Sequence, residues 1–547
     1  FMNLLVLIFH LQHGTFVGID LRVDPLVDSK VGLIRGLRAS DGDYSMFLGI
    51  PYAKVDEENI FGDSIPYPKF EETFEAYDDS AICPQIEEFN NTIVGTLDCL
   101  HLNVFVPTSA TSSNRLPVLV WIHGGGFEIG FFNRYLFGPK FLARHDIVLV
   151  TLNYRLGPYG FMCPDITDVP GNQGLKDQQT ALRWVKDNIE AFGGDASKIT
   201  IFGESAGAAS VDFHLYSSEE NLFDQAILQS GTAFSPWILR NPGTEGPLKL
   251  AEHLGLITDD VKDALSFLAT VDTKLVIAAT DELGLSFRVC VEKNSGNVED
   301  FLVDYPVNLN VPKVKKIPLL IGFNSDEGVG YYGNSDNEHL EKLDIIGDTI
   351  HQNFDMDSQT FDEMSEYLRH FYFGDKDVNE ETKRQVIDLT TDSFFTQPTQ
   401  RSIKKYFNNG AKTIFSYMFS FVGERNFLKN KDGITIGGVA HADEISYLFD
   451  VSYLKSVMSE EEQIVVDRIT TLWTNFVKYG DPTPEATDLL PVKWAPMTKD
   501  RWNYLNIDLD LALESRPFSE RLAFLDLFFK MNEKHLIGYQ NNDENIL

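Results

Sequence analysis

The chain has 547 residues, of which 43% are hydrophobic, so it is long enough to bury a large core. Its formal net charge is −35 at pH 7, because 81 acidic residues outnumber 46 basic ones. This excess of negative charge disfavours phosphate backbones and anionic membrane surfaces as partners, so we expect no nucleic acid to bind. Solubility is the simplest explanation of the acidity.

Residues 1–18 contain one short apolar run, Leu4–Phe9. The run is too short to span a bilayer, but it has the length of the core of a secretory signal. A buried first strand is the alternative, since no basic residue precedes the run. We predict a leader over residues 1–18, one domain over residues 19–540 and no stable insertion into a membrane.

Short strands separated by polar turns are predicted in the first hundred or so residues, among them Tyr44–Pro51 and Leu100–Pro107. The continuous apolar run Leu116–Ile122 has the length of a buried parallel strand. It ends in His123-Gly124-Gly125-Gly126-Phe127, and Ile147–Tyr154 reads as the next buried strand.

An amphipathic helix is predicted over Gly171–Asp195, and its end is marked by Gly193-Gly194. The next stretch, Lys198–Phe202, has the composition of a strand and leads into Gly203-Glu204-Ser205-Ala206-Gly207. Small residues that suit a helix follow. The order strand, tight turn, helix places Ser205 at the apex of a strained turn, where flanking glycines leave room for the neighbouring elements. On five residues alone, a plain turn with a chance Gly-x-Ser-x-Gly match is the alternative.

The second half of the chain continues the alternation. Buried strands are predicted at Ala226–Ser230, Ile317–Gly322 and Thr413–Phe419. A capping-box pattern opens a helix at Ser459 that Gly480 closes, and Phe518–Phe529 marks a final amphipathic helix. Strands that alternate with helices predict the α/β class, with a large, mostly parallel sheet covered by helices on both faces.

Ser205 and three further sequence features fit the four needs of acyl transfer, which are a nucleophile, a base, an acid that orients the base, and donors for an oxyanion. The triglycine after the strand at 116–122 can turn N–H groups into a cleft. His441 follows Gly437-Gly438-Val439-Ala440 in a loop after a strand, and Glu327 lies just past another strand end. The order Ser205, Glu327, His441 is that of the α/β hydrolases. Asp326 competes with Glu327 for the role of the acid, and the residues alone leave both open.

Four cysteines are present, at 83, 99, 163 and 290. Cys83 and Cys99 are close enough in sequence to bridge a small loop. None of the cysteines has zinc-site spacing, so we expect no metal. One glycosylation acceptor pattern, Asn90-Asn91-Thr92, falls inside that loop. The apolar leader, the bridge and the acceptor pattern together predict a secreted glycoprotein.

Further segments extend these features over residues 25 to 530, nearly the whole chain. They are Phe47–Ala53, Asp98–Val104, Trp121–Phe127, Asn153–Gly157, Gly171–Gln178, Phe192–Asp195 and Gly203–Gly207. With these ordered matches the chain resembles the type-B carboxylesterase and cholinesterase-like family, in the style of insect carboxylesterases. The resemblance implies an α/β-hydrolase fold with a small N-terminal β region.

The resemblance also implies roles for individual residues, with no cofactor and no metal. Ser205 would be the nucleophile, His441 the base and then the acid, and Glu327 the orienting carboxylate. The remaining implied features are an oxyanion hole of Gly125, Gly126 and Ala206 N–H groups and a first disulfide between Cys83 and Cys99.

Several departures from the family narrow the expected substrate. The segment from Cys83 to Cys99 has no tryptophan, and glycine stands at 328 and 330, near where cholinesterases place a stacking aromatic, so we expect no cation–π platform for choline. Cys163 and Cys290 match no disulfide position of the family and are expected to be buried free thiols.

The expected substrate is a small-molecule carboxylic ester, either a small apolar ester, an odorant or pheromone ester, or a xenobiotic one. A loose alignment puts the acyl pocket at Leu283, Leu285 and Phe287. A juvenile hormone esterase is one alternative, which Glu204 disfavours because those enzymes typically have glutamine there. A slow or non-catalytic ligand-binding or adhesion protein is the other, and the intact triad argues against it.

Overall fold

The computed structural model describes residues 24–217, 221–292, 300–455 and 457–540. The predicted leader at residues 1–18 lies outside these ranges. The central element is a sheet of eleven described strands. In chain order they are β1 (Leu37–Arg38), β2 (Tyr44–Pro51), β3 (His101–Pro107), β4 (Leu116–Ile122), β5 (Val148–Leu152), β6 (Gly194–Glu204), β7 (Gln225–Gln229), β8 (Leu319–Asn324), β9 (Ile414–Phe419), β10 (Asn503–Ile507) and β11 (Ala512–Ser515).

The strand order across this sheet is β11-β10-β9-β8-β7-β6-β4-β5-β3-β2-β1. Neighbours from β5 through β10 run parallel, whereas the pairs at the two edges are antiparallel. The α/β class and the mostly parallel sheet predicted from the sequence are confirmed. Smaller sheets lie in the N-terminal region, built from Leu26–Ser29 with Gly32–Arg35 and Phe74–Glu75, Ala53–Lys54 with Ile65–Pro66, and Gln85–Ile86 with Ile93–Val94.

Helices separate the strands and cover both faces of the sheet, so apolar clusters pack on each side of it. Within the described ranges, no helix combines the length and the apolar character that crossing a bilayer requires. The helices are α1 (Lys140–Ala143), α2 (Gly157–Phe161), α3 (Gln173–Asn188), α4 (Ala206–Tyr216), α5 (Glu245–His253), α6 (Val261–Leu268), α7 (Thr273–Glu282), α8 (Val329–Tyr332), α9 (Asn337–Glu341), α10 (Ile345–His351), α11 (Ser358–Tyr372), α12 (Lys383–Thr391), α13 (Gln397–Asn408), α14 (Phe427–Asp432), α15 (Ile445–Leu448), α16 (Glu460–Tyr479) and α17 (Ser519–Met531).

The helix predicted over residues 171–195 is shorter than expected. It comprises α3 and one 3₁₀ turn over Ile189–Phe192, after which Gly193 adopts a φ of 82°. A left-handed residue ends a helix because it turns the chain away from the helical path, and glycine does so without steric cost. The second glycine, Gly194, already belongs to β6, where it leaves room for the Ile189 side chain.

The helix predicted after Ser459 begins and ends where the sequence places it. The Ser459 hydroxyl accepts a hydrogen bond from the Glu462 N–H at 3.1 Å, and the Glu462 carboxylate accepts one from the Ser459 N–H at 2.9 Å. This capping box satisfies donors that the first turn leaves without partners. At the other end Gly480 takes a φ of 67°, so α16 spans residues 460–479.

The register of the parallel strands brings the predicted functional segments together. Ile122 at the end of β4 pairs with Gly203, and Glu204 at the end of β6 pairs with Gln229. Gln229 in turn pairs with Gly322 of β8. Because the carboxyl ends of neighbouring parallel strands lie side by side, the loops after β4, β6 and β8 meet there.

Candidate active site

Ser205 occupies a sharp turn between β6 and α4. Its φ of 55° and ψ of −121° lie outside the regions that a residue with a side chain ordinarily adopts. The Ser205 N–H donates to the Gln229 carbonyl oxygen at 2.8 Å, which holds the strained turn against β7. This is the strained strand-to-helix turn predicted from the sequence, and it places the serine at the edge of the sheet with 7% of its surface exposed.

The two glycines of the turn are required by close contacts. A Cβ on Gly203 would stand 2.4 Å from the Gly207 carbonyl carbon, and a Cβ on Gly207 would stand 2.0 Å from the Ile122 carbonyl oxygen. Neither backbone atom can move aside without shifting β4 or α4. The collision predicted from the sequence is thus observed on both sides of Ser205.

The triglycine after β4 packs directly on this turn. A Cβ on Gly124 would lie 3.1 Å from the Ser205 Cβ, whereas a Cβ on Gly126 would meet no atom within 4 Å. Gly125 and Gly126 have φ values of 102° and 62°, which glycine adopts without strain. The backbone of this loop therefore comes close to the serine and faces open space, and the first N–H of α4, on Ala206, belongs to the same region.

His441 and Glu327 form a direct pair. The Nδ1 atom of His441 lies 2.7 Å from Glu327 Oε2. The other carboxylate oxygen of Glu327 accepts hydrogen bonds from the Ser230 hydroxyl at 2.6 Å and the Asn324 N–H at 2.7 Å. Glu327 is fully buried, so these three donors fix its position.

Asp326, the competing acid, points to different partners. Its carboxylate pairs with Arg384 and accepts a hydrogen bond from the Ser325 hydroxyl at 2.6 Å. The geometry therefore separates two neighbouring carboxylates that the residues alone left open, and it is Glu327, as the family resemblance implied, that contacts the histidine.

Glu204 adds a second carboxylate on the opposite side of the His441 ring, where Oε1 lies 3.2 Å from Nε2. Burial alone would lower the pKa of His441, but the charge of Glu204 and the hydrogen bond to Glu327 outweigh it and raise that pKa to about 9. Burial raises the pKa of the Glu204 carboxyl well above its usual range. The imidazole is therefore held between two carboxylates in a water-poor setting.

A third carboxylate, Glu444, lies behind this pair. It accepts hydrogen bonds from the side-chain amides of Gln229 at 2.9 Å and Asn324 at 2.6 Å. Burial and the charge of Glu327 raise its pKa to about 7. No sequence pattern pointed to Glu444, because its role depends on contacts with residues more than a hundred positions away.

Ser205, His441 and the triglycine line one cavity of about 320 Å³. Aromatic side chains absent from the sequence prediction form part of its wall, namely Trp237, Tyr331 and Phe394. The ring centroid of Tyr331 lies 6.2 Å from that of His441. Positions 328 and 330 are glycines and supply no aromatic ring, as expected, but Tyr331, the next aromatic residue along the chain, supplies one to the cavity wall.

Phe394 and its neighbour Phe395 lie on an unusual backbone. A single π-helical turn over Asp392–Thr396 joins α12 to α13, and the Phe395 ring centroid is 4.6 Å from that of His441. Such π turns are frequent at functional sites because they redirect side chains locally. Neither composition nor periodicity reveals a π turn, which explains why the sequence did not indicate these phenylalanines.

The three residues predicted to form the acyl pocket lie outside the wall of this cavity. Leu283 is 36% exposed, and the Phe287 ring packs beside Gly246. Among the described residues, this segment contributes Arg288 to the lining of the cavity, rather than Leu283, Leu285 or Phe287. Charged residues at the cavity also include Glu88, whose carboxylate lies 2.6 Å from the Lys431 ammonium group.

The structure pairs all four cysteines in the described chain. Cys83 joins Cys99, as predicted, and Asn90 inside that loop is exposed. The expectation that Cys163 and Cys290 are free thiols is wrong, since they form a second disulfide across 127 positions. A pairing over such a distance leaves no local pattern, so the sequence could not indicate it.

The chain is similar to known proteins over most of its length. A family model described as the carboxylesterase family matches residues 23–525. The human bile salt-activated lipase is 31% identical over 91% of this chain and 67% of its own length. Esterase FE4 of Myzus persicae is 31% identical over 92% of this chain and 93% of its own. The crystal structure of juvenile hormone esterase from Manduca sexta, with OTFP covalently attached, superposes with a TM-score of 0.82 at 29% identity, covering 93% of this chain and 100% of that one.

Proposed function

The chain belongs to the carboxylesterase family, and from this premise we propose that it hydrolyses carboxylic esters through an acyl-serine intermediate on Ser205. The observation that supports the proposal most directly is the convergence of Ser205, the triglycine and His441 on one cavity, with His441 paired to Glu327 at 2.7 Å. Nucleophile, base, orienting acid and oxyanion donors are the groups that this chemistry needs.

In the proposed mechanism the Ser205 hydroxyl attacks the ester carbonyl carbon while Nε2 of His441 takes its proton. The carbonyl oxygen becomes an oxyanion and accepts hydrogen bonds from the N–H groups of Gly125, Gly126 and Ala206. Collapse of this intermediate expels the alcohol, which takes the proton from the imidazolium. Water then attacks the acyl-serine by the same route and releases the acid.

Glu327 orients the imidazole in this mechanism and stabilises its charged form. Glu204 contributes to the same end, because a carboxylate 3.2 Å from Nε2 favours the imidazolium. The cavity of about 320 Å³ and its aromatic walls favour small apolar esters, including odorant or pheromone and xenobiotic esters.

We further propose that the protein is secreted and carries a glycan at Asn90. Disulfides persist in oxidising compartments, and the second disulfide adds to the support that the first one gives. Expression in a eukaryotic secretory host tests both points. We expect the protein in the medium, with a mass decrease on enzymatic removal of N-glycans that Asn90→Gln abolishes.

The decisive assay is hydrolysis of p-nitrophenyl acetate and butyrate, together with labelling by an organophosphate. We expect turnover of both esters and one label per chain on Ser205, and we expect Ser205→Ala to lose both. A well-folded protein that shows neither label nor turnover would instead support the ligand-binding alternative. Including a juvenile hormone ester in the same panel tests the hormone esterase alternative.

A further inference from the structure

Arg288 is a cationic side chain in a cavity where an apolar ester is expected. It lines the same cavity as Ser205, and its side chain is only 14% exposed. Its Nε is buried and has no acceptor among the described residues, and the same holds for the indole N–H of Trp237 on that wall. Buried donors are rarely left without an acceptor, so these two groups have unused hydrogen-bonding capacity beside the cavity.

The guanidinium group of Arg288 pairs with Glu128, and a second arginine lies on the neighbouring segment. Its Nη1 atom donates to Glu128 Oε1 at 2.5 Å and to the Phe287 carbonyl oxygen at 3.0 Å. Arg240 lies alongside, since its N–H donates to the Val289 carbonyl oxygen at 2.9 Å. Burial lowers the pKa of Arg240, and the charge of Arg288 lowers it further, because the two guanidinium groups repel each other. Among the described residues, positive charge is thus concentrated beside this wall in a chain whose net charge is −35.

This cluster is connected to the catalytic groups. The Glu128 N–H donates to the Gly125 carbonyl oxygen at 3.0 Å, which joins the ion pair to the triglycine loop. Tyr331 lines the same cavity as Arg288. Tyr331 also packs near His441, with ring centroids 6.2 Å apart. A group bound by Arg288 is therefore within the same small cavity as the reacting ester.

The carboxylates of the cavity do not cancel this positive charge. Glu88 is paired with the Lys431 ammonium group at 2.6 Å. Glu204 is 4% exposed, and its Oε1 atom lies 3.2 Å from Nε2 of His441, so this carboxylate is paired with the imidazole. A ligand anion at Arg288 is thus not repelled by an unpaired carboxylate of these two.

We propose that Arg288 determines specificity for esters that carry a carboxylate elsewhere in the molecule, binding that carboxylate through the part of its guanidinium group that lines the cavity. This inference rests on the proposed esterase function. A half-ester of a dicarboxylic acid has its carboxylate on the acid half, and an ester of a hydroxy acid has it on the alcohol half. The chemistry recognised is the same in both cases, and matched substrates distinguish them.

The test compares kcat/KM for matched pairs in which only the carboxylate differs. Mono-p-nitrophenyl adipate against p-nitrophenyl hexanoate probes the acid half. 4-Butyryloxybenzoate against its methyl ester probes the alcohol half. A hydrogen bond to a charged group corresponds to at least about a tenfold preference, so we expect a ratio of about ten or more in one pair. Arg288→Met should reduce that ratio to about one, and Arg288→Lys should retain part of it.

Arg144→Met is the matched control, because Arg144 pairs with Asp467 at 2.5 Å on a surface away from this cavity. Its ratio should equal that of the unaltered protein. The inference would be overturned if the unaltered protein gave a ratio near one for both pairs. It would also be overturned if Arg288→Met still cleaved p-nitrophenyl hexanoate and its ratio were unchanged. If the unaltered protein hydrolysed no neutral ester, that result would refute the proposed function instead.

Binding measurements keep the two conclusions separate even without turnover. The 4-nitroanilides of adipic acid and hexanoic acid resist hydrolysis, so calorimetry with the unaltered protein compares binding alone. We expect the carboxylate-bearing anilide to bind at least about tenfold more tightly. Equal binding of the two anilides contradicts the inference, whether or not the protein is an esterase.

Discussion

Replacing Glu327 by glutamine should move the ring proton of neutral His441 from Nδ1 to Nε2. In the structure one oxygen of Glu327 accepts two hydrogen bonds, from Ser230 and Asn324, and the other faces Nδ1 of His441 at 2.7 Å. Only the amide oxygen of glutamine can accept those two bonds, so its NH₂ group must face Nδ1. The imidazole then carries its proton on Nε2, where it cannot accept the proton of Ser205.

The expected loss is about 10⁴-fold in kcat, which is the typical cost of holding a triad histidine in the wrong tautomer and corresponds to about 5.5 kcal/mol of activation free energy. The assay is steady-state hydrolysis of p-nitrophenyl butyrate, with organophosphate titration to count active sites. Asp326→Asn is the control, because Asp326 pairs with Arg384, which is 51% exposed, and such an ion pair contributes at most about 1 kcal/mol. A larger loss for Asp326→Asn than for Glu327→Gln would refute the assignment of the acid.

Three further perturbations test the surroundings of the site. Glu204→Gln removes a carboxylate beside His441. Burial lowers the pKa of His441, but nearby carboxylates raise it to about 9, so loss of one of them should move the rise of kcat/KM with pH to lower pH. Replacing Cys163 and Cys290 together by serine opens a loop of 127 positions and should lower the free energy of unfolding by about 5 kcal/mol in the chain-entropy model, measured by urea unfolding. Gly207→Ala places a Cβ 2.0 Å from a carbonyl oxygen of β4 and should abolish recovery of folded protein, followed by circular dichroism.

Each of these has a matched control in the chain. Glu88→Gln alters a carboxylate already paired with a lysine, so its pH profile should stay unchanged. A profile for Glu204→Gln that also stays in place would contradict the electrostatic account. Opening the 16-position Cys83–Cys99 loop should cost only about 3 kcal/mol, and a larger cost than for the second disulfide would contradict the entropic reasoning. A Cβ on Gly243 meets no atom within 4 Å, so Gly243→Ala should fold normally.

The parts of this molecule that the sequence could predict are those encoded by local physics. Continuous apolar runs predict the buried parallel strands, the capping box predicts the start of α16, and two glycines around Ser205 predict the tight turn. The positions of Glu327 and His441 after strand ends predict that they lie at one edge of the sheet. What makes these predictions possible is that each depends on residues only a few positions apart.

The features that the sequence could not predict are long-range choices between equivalent groups. Glu327 and Asp326 are adjacent and chemically alike, so local patterns do not separate them and only the family resemblance pointed to Glu327, which donors from Ser230 and Asn324 hold in place. The aromatic wall needs a π turn that no periodicity signals. The Cys163–Cys290 bond depends on two loops that meet only in the folded chain.

That same bond bears on substrate selection, because Cys290 lies two positions after Arg288. The Cys290 backbone is held further by the Asn172 side chain, which accepts from its N–H at 3.0 Å and donates to its carbonyl oxygen at 2.8 Å. A long arginine side chain discriminates between ligands only when its backbone is fixed, since a mobile guanidinium can follow any acceptor. The disulfide and the asparagine thus fix the backbone two positions after Arg288, and the selectivity proposed for Arg288 depends on a crosslink that lies outside the catalytic motifs.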